Sequence, residues 1–221
     1  MLTQADRTVE DCLDVFDSIS DTGVRHVGFK DLGVDRGTLA ALNARIKASG
    51  AISYMEVVST TAKACLESAR GALEMGVDRL LGGVGVAPIL EILKGSGVAY
   101  YPFPGRPEGH PTRLRGGPKD VAADCRRMER DGCAGADLLA YRALDADPLA
   151  LVEAARGALS GGLIVAGSID GPERVRALAA AGVDAFTIGT AAFDGSFSPR
   201  GGGLRAQLED ILAAIPDTKE R

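Results

Sequence analysis

One arrangement recurs along this chain and restricts its folds more than any other feature: an amphipathic stretch, a glycine, then a short apolar run. It occurs at Thr22-Gly23-Val24, Ser49-Gly50-Ala51, Met75-Gly76-Val77, Ser96-Gly97-Val98, Asp131-Gly132-Cys133, Gly161-Gly162-Leu163 and Ala181-Gly182-Val183. Glycine just past a helix takes the left-handed conformation that other residues resist, and the chain can then turn into a strand. These glycines return about every 20 to 35 residues, the size of a βα unit. The stretches before them repeat with helical period. Val9, Leu13, Phe16 and Ile19 line one face of the first; Leu149, Val152, Ala155 and Leu159 line the sixth; Leu204, Leu208, Ile211 and Leu212 line the last. The strand runs are His26–Lys30, Ile52–Val58, Arg79–Val84, Val98–Phe103, Ala136–Tyr141, Leu163–Ser168 and Ala185–Gly189. Strands alternating with helices imply a parallel sheet with helical crossovers.

Seven strands are clear. An eighth belongs before the helix at 8–22, where only Met1–Gln4 is available. The expectation is a (β/α)8 TIM barrel with a short or truncated first strand, forming a single domain over 1–221. A seven-stranded open sheet is the alternative. Composition agrees with an ordinary globular protein, at 46% hydrophobic and 25% charged residues. The apolar runs are too short for a membrane span, and no signal peptide opens the chain, so the cytoplasm is the expected location. A net charge of −5 argues against nucleic-acid binding through a broad basic surface. Four cysteines without CxxC spacing read as reduced thiols, and two histidines are too few for a His-rich zinc site.

The last two units carry the strongest functional signal. In a barrel, the loops after strands seven and eight often cradle a phosphate, and glycine there leaves backbone N–H groups open to the anion. Here these segments read Ala166-Gly167-Ser168-Ile169-Asp170-Gly171-Pro172-Glu173 and Ile188-Gly189-Thr190-Ala191, with Ala181-Gly182-Val183-Asp184 between them. Over 163–193 the chain resembles the ribulose-phosphate-binding barrels. That group includes the histidine- and tryptophan-biosynthesis isomerases and synthases, the pentose-phosphate epimerases and related decarboxylases. The resemblance implies a phosphate held by Gly167, Ser168, Gly189 and Thr190. Ser168 departs from the family's usual second glycine, leaving less room and adding a hydroxyl. The alternative is that these glycines only make tight turns.

Side-chain parity identifies the chemistry. In the second strand Val27 and Phe29 face the helices, so His26, Gly28 and Lys30 point inward. In the third, Tyr54, Glu56 and Val58 share one parity. Lys30 lies seven residues after Gly23 and Glu56 six after Gly50, which sets them at nearly the same height on adjacent strands. Lys30 is expected as a proton donor, oxyanion stabiliser or imine-forming amine, and Glu56 as a general base; the alternative is a structural ion pair. Gln4 and Asp6 end the first strand, Asp31 faces a loop, and Tyr141 and Arg142 end the sixth strand. His26 lies low in the barrel as a buried, hydrogen-bonded structural residue and His110 in a loop, so no metal is expected. The long connection 104–118 reads as structureless; Arg106, Arg113 and Arg115 are placed to clamp an anion from it.

These readings converge on an enzyme acting on a phosphorylated sugar or similar phospho-metabolite. Its reaction would be of isomerase, epimerase or aldolase/lyase type through an enol or imine, without an organic cofactor. A barrel that binds such a metabolite as a sensor or regulator is the second expectation, favoured if Lys30 and Glu56 lock together. A flavin or nicotinamide enzyme is the third. A homodimer is the default assembly.

Overall fold

A computed structural model describes residues 1–216; residues 217–221 of the expected domain lie outside the described part. The eight barrel strands are β1 (Thr3–Gln4), β3 (His26–Lys30), β4 (Ile52–Val57), β5 (Arg79–Gly82), β6 (Ala99–Tyr101), β9 (Gly135–Leu138), β10 (Gly162–Val165) and β11 (Ala185–Phe186). Parallel ladders join β3 to β4, β5 and β6, and β9 to β10 and β11. Three junctions close the ring. Ala134 N donates to Tyr100 O at 2.9 Å, linking β6 to β9. Leu2 N donates to Gly28 O at 2.7 Å and Met1 N to Ile188 O at 2.8 Å, seating the first strand between β3 and β11. The molecule is a (β/α)8 barrel, not a seven-stranded open sheet.

Helices cover the outside: α1 (Cys12–Ile19), α2 (Arg36–Ala48), α3 (Ala62–Met75), α4 (Val86–Leu93), α5 (Pro118–Asp131), α6 (Pro148–Arg156), α7 (Pro172–Ala180), the short α8 (Thr190–Phe193) and α9 (Leu204–Ala213). Their starts follow from local chemistry: Asp35 accepts from Thr38 N ahead of α2, and Asp147 from Ala150 N ahead of α6. Gly76 ends α3 at φ 68, the left-handed geometry expected of the recurring glycine. Among the described residues, no helix is long and apolar enough to cross a membrane.

Strand parity divides the core. Outward residues such as Phe29, Met55, Leu80, Leu138 and Val165 pack under the helices. Inward, Tyr54, Leu81, Tyr101 and Ile164 fill the lower barrel, and the Arg79 guanidinium lies 5.2 Å from the Tyr54 ring and 5.8 Å from that of Tyr101. This plug fills the N-terminal end, and a cleft lies at the C-terminal mouth.

Four sequence expectations need correction. The connection 104–118 is not structureless: β7 (Arg106–Glu108) and β8 (Arg113–Arg115) form an antiparallel hairpin. Segment 8–22 is not all helix, because β2 (Arg7–Thr8) first pairs back on β1. Tyr141 and Arg142 do not extend a strand; they lie in a 3-10 turn, Ala140–Arg142. Leu149 and Leu212 face solvent rather than the core, which α6 and α9 reach through Leu151 and Ile211.

Candidate active site

Lys30 and Glu56 are register partners on β3 and β4, as their spacing from the preceding glycines predicts. The Lys30 ammonium lies 2.9 Å from Glu56 Oε1 and 2.8 Å from Asp6 Oδ1, and all three side chains are buried. Asp6 follows β1 in a turn where Ala5 and Asp6 both have positive φ, at 46° and 59°. That turn aims its carboxylate into the barrel mouth. Arg142 donates to both Asp6 oxygens, at 2.7 and 2.9 Å, in the bidentate manner of a guanidinium on a carboxylate. Thr112 N, at the tip of the β7–β8 hairpin, donates to Asp6 Oδ2 at 3.1 Å, and its carbonyl accepts from Arg142 at 3.2 Å. The Lys30 backbone is clamped as well: Thr8 Oγ1 accepts from Lys30 N at 2.9 Å and donates to Lys30 O at 2.8 Å.

The network sets the charges. Burial works against the Lys30 ammonium, but Glu56 and then Asp6 outweigh it and hold its pKa above 10.5. Burial likewise opposes ionisation of Asp6, yet the Arg142 hydrogen bond and the Lys30 charge keep its carboxyl well below the usual range. A further carboxyl escaped the sequence reading. Asp137 shares inward parity with Gly135 on β9, is fully buried, and its two oxygens have no hydrogen-bond partner among the described residues. Burial first, then the charge of Glu56, push its pKa well above 3.8; Lys30 and Arg142 offset this only in part.

Above this floor lies a cleft of about 350 Å³ lined by Thr3, Asp6, Lys30, Glu56 and Arg142 on one side. Gly167, Ser168, Ile169, Gly189 and Thr190 line the other. Among the described residues, the backbone N–H groups of these last five have no hydrogen-bond acceptor. Ser168 sits at φ 55, a conformation that costs a non-glycine residue energy. The glycines serve close packing too. A Cβ on Gly189 would lie 2.5 Å from Thr3 Oγ1 and 2.8 Å from Thr3 O, and one on Gly167 would strike the Arg142 side chain. Two carboxylates, Asp170 and Asp194, also reach the cleft. Arg174 pairs with Asp170 at 2.8 Å and donates to Ser168 O.

The other sequence candidates fall outside the cleft. Arg106, Arg113 and Arg115 are exposed on the hairpin, and Arg115 is occupied by Glu108 at 2.7 Å and Asp145 at 3.0 Å. The Tyr141 ring carries the Arg174 guanidinium at 4.6 Å. Asp31 turns away from the barrel and accepts from Val58 N and Ser68 Oγ. His26 is exposed rather than buried, and its Nδ1 lies 2.7 Å from the buried Tyr54 hydroxyl at the opposite end of the barrel. Of the weaker rim candidates, Asp6 and Arg142 line the cleft.

No protein-family model and no curated protein matches the sequence. Solved structures do resemble it. A mutant tryptophan synthase α-subunit from Pyrococcus furiosus superposes with a TM-score of 0.63 at 12% identity, over 92% of this chain and 93% of that one. A native KDPGal structure gives 0.63 at 12%, over 94% and 87%. FabK from Thermotoga maritima gives 0.55 at 15%, over 79% of this chain and 52% of FabK, so the chain spans about half the length of that protein. At such identities the likeness concerns the barrel alone.

Proposed function

We propose that this barrel is an enzyme acting on a phosphorylated sugar or a similar phospho-metabolite by proton transfer through an enol, in the manner of an isomerase or lyase. One observation carries the reading: unpaired backbone N–H groups at 167–169 and 189–190 share a single small cleft with the Lys30–Glu56–Asp6 charges. The first group suits a phosphate, because convergent amides bind anions without a side-chain cation. The second suits a reacting carbonyl or hydroxyl at the other end of the same molecule. Lys30, held as an ammonium, stabilises a developing oxyanion, and Glu56 takes the neighbouring proton. An imine needs a neutral amine, and the two carboxylates around Lys30 oppose that form. Enol chemistry is therefore favoured over imine chemistry. The resemblance over 163–193 to the ribulose-phosphate-binding barrels supports the phosphate assignment. The tryptophan synthase α-subunit among the structural neighbours supports catalysis on this fold, although fold does not select a reaction.

Pentose and hexose phosphates test the reading by thermal shift and by solvent-deuterium exchange at their carbon-bound hydrogens. Sugar phosphates are expected to raise Tm in the wild type but not in Ser168→Asp, which places a negative charge among the open amides and tolerates positive φ better than most residues. Exchange is expected in the wild type and lost in Glu56→Gln, with no borohydride-trapped adduct. If Ser168→Asp binds as the wild type does, the phosphate assignment is wrong. One observation favours the sensor reading: Lys30, Asp6, Glu56 and Arg142 are already mutually paired. Binding without deuterium exchange for any sugar phosphate that shifts Tm would select it.

A further inference from the structure

Asp137 has no place in the chemistry above, yet it is the most unusual polar group in the barrel. It lies on β9 between Ala136 and Leu138, its residue is 0% exposed, and neither oxygen receives a hydrogen bond from any described residue. Buried polar groups are otherwise almost always satisfied, and an isolated charge in such a place is the costliest case. Its surroundings decide how the problem is met. Asp137 feels the charges of Glu56 on β4, Lys30 on β3 and Arg142 in the turn after β9, and Asp6, in the turn after β1, pairs with both of those cations. β6 contributes the phenol Tyr101 and β10 the apolar Ile164. Two cations and two carboxylates already balance within this layer, each cation lying within 3 Å of a carboxylate oxygen. Burial draws the Met1 amine down to about 6, so it brings no full positive charge near neutral pH. An ionised Asp137 would be a fifth charge, uncompensated and without a donor.

We infer that Asp137 is a neutral carboxylic acid in the resting protein, the uncharged member of the layer that holds Lys30, Glu56, Asp6 and Arg142. The inference rests on the proposed acid–base reading for its consequence, though not for the neutral state itself. A proton on Asp137 leaves the two cations and two carboxylates of the layer balanced, whereas its ionisation would add a negative charge that Glu56 feels. Asp137 does not line the cleft. It acts on the reaction through the charge of this layer and is a positioning residue, not a group that meets the substrate.

The test uses the whole, ligand-free protein and reads the proton directly. Infrared spectra in D2O across pH 5 to 9 are expected to show a protonated-carboxyl C=O band at neutral pH that is lost in Asp137→Asn. Its titration midpoint should fall in Glu56→Gln, where a nearby negative charge is removed, and rise in Lys30→Met, where a positive one is removed. A role confined to packing predicts no such pair of opposite shifts. Urea unfolding gives a second readout that survives if Lys30→Met does not fold. An acid whose pKa is raised by folding weakens the fold as pH climbs above its unfolded value. Wild type should therefore lose folding equilibrium constant relative to Asp137→Asn by about tenfold per unit between pH 5 and 7. Absence of the band, its loss in Glu56→Gln instead of Asp137→Asn, or parallel stability curves would each overturn the inference. Failure of every sugar phosphate to bind would overturn the proposed function and leave these spectra unaffected.

Discussion

Replacing Asp6 with Asn tests whether the charged floor is one interlocked unit. The side chain keeps its shape and loses its charge. In the native protein the two carboxylate oxygens accept from Lys30 at 2.8 Å, Arg142 at 2.7 and 2.9 Å and Thr112 N at 3.1 Å. The Asn amide nitrogen cannot accept, so at least one of the Arg142 and Lys30 contacts becomes donor against donor. Arg142 then keeps no carboxylate partner among the described residues, and Lys30 keeps only Glu56. Removing one member of a buried ion pair costs about 3–5 kcal/mol, because the partner is left charged and unsatisfied. With a urea m-value of about 2–3 kcal/mol/M for a domain of this size, the midpoint should fall by roughly 1–2 M at pH 7. The pH dependence has a definite sign. Asp6 is held below 3.8 in the folded state, so its contribution is present above that pH and vanishes as pH falls through the folded value. The gap between variant and wild type should close on acidification below pH 3.8. Asp21→Asn is the control: it removes an equally well-formed pair with Arg205, but on the exposed surface, and should leave the midpoint unmoved. Equal midpoints for Asp6→Asn and Asp21→Asn would refute the interlocked floor.

Gly189→Ala should destabilise the fold by about 1–3 kcal/mol, as overpacking does, because its Cβ meets the backbone and hydroxyl of Thr3; unchanged urea unfolding would show that β1 and β11 separate easily. His26 is exposed as a residue, but partial desolvation of its ring beside Tyr54 and the Arg79 charge lower its pKa, so it should titrate below 6.5 by NMR, and its substitution by Gln should leave the binding proposed above unaltered. An effect of His26→Gln on binding would contradict the closed lower end of the barrel.

Lys30 and Glu56 were legible because parallel strands entered from equivalent glycines keep a common register, so counting residues is enough. That Gly167, Ser168, Gly189 and Thr190 share one rim was legible because strand–turn–helix chemistry at a barrel rim is local; that they hold a phosphate is the proposal. Asp137 was legible in principle. A lone carboxylate in the run Gly135-Ala136-Asp137-Leu138-Leu139-Ala140 is the cue, and the same parity rule points it inward; the reading went instead to Tyr141 and Arg142 at the end of an overlong strand. Asp6 was seen only as a strand end. Its aim depends on left-handed backbone at Ala5 and Asp6, where no glycine advertises such a turn. The hairpin at 106–115 escaped because its three-residue strands, Arg106-Pro107-Glu108 and Arg113-Leu114-Arg115, are too short and too polar to show a strand period. Its registration comes from tertiary contact, with Thr112 reaching a carboxylate more than 100 residues away.

The seam between first and last strands has a consequence for how this protein matures. Met1 meets Ile188 across 187 positions and Asp6 meets Arg142 across 136, and the Thr8 clamp on Lys30 belongs to the same opening hairpin. A chain whose seam is still open keeps the Lys30–Glu56 pair but lacks Asp6, which joins it to Arg142, and the Thr3 wall beside Gly189. On the proposed function, an intermediate with this seam open would lack the Asp6 and Thr3 side of the cleft and should not bind ligand. Acquisition of ligand affinity should mark the final stitch of folding and not its beginning.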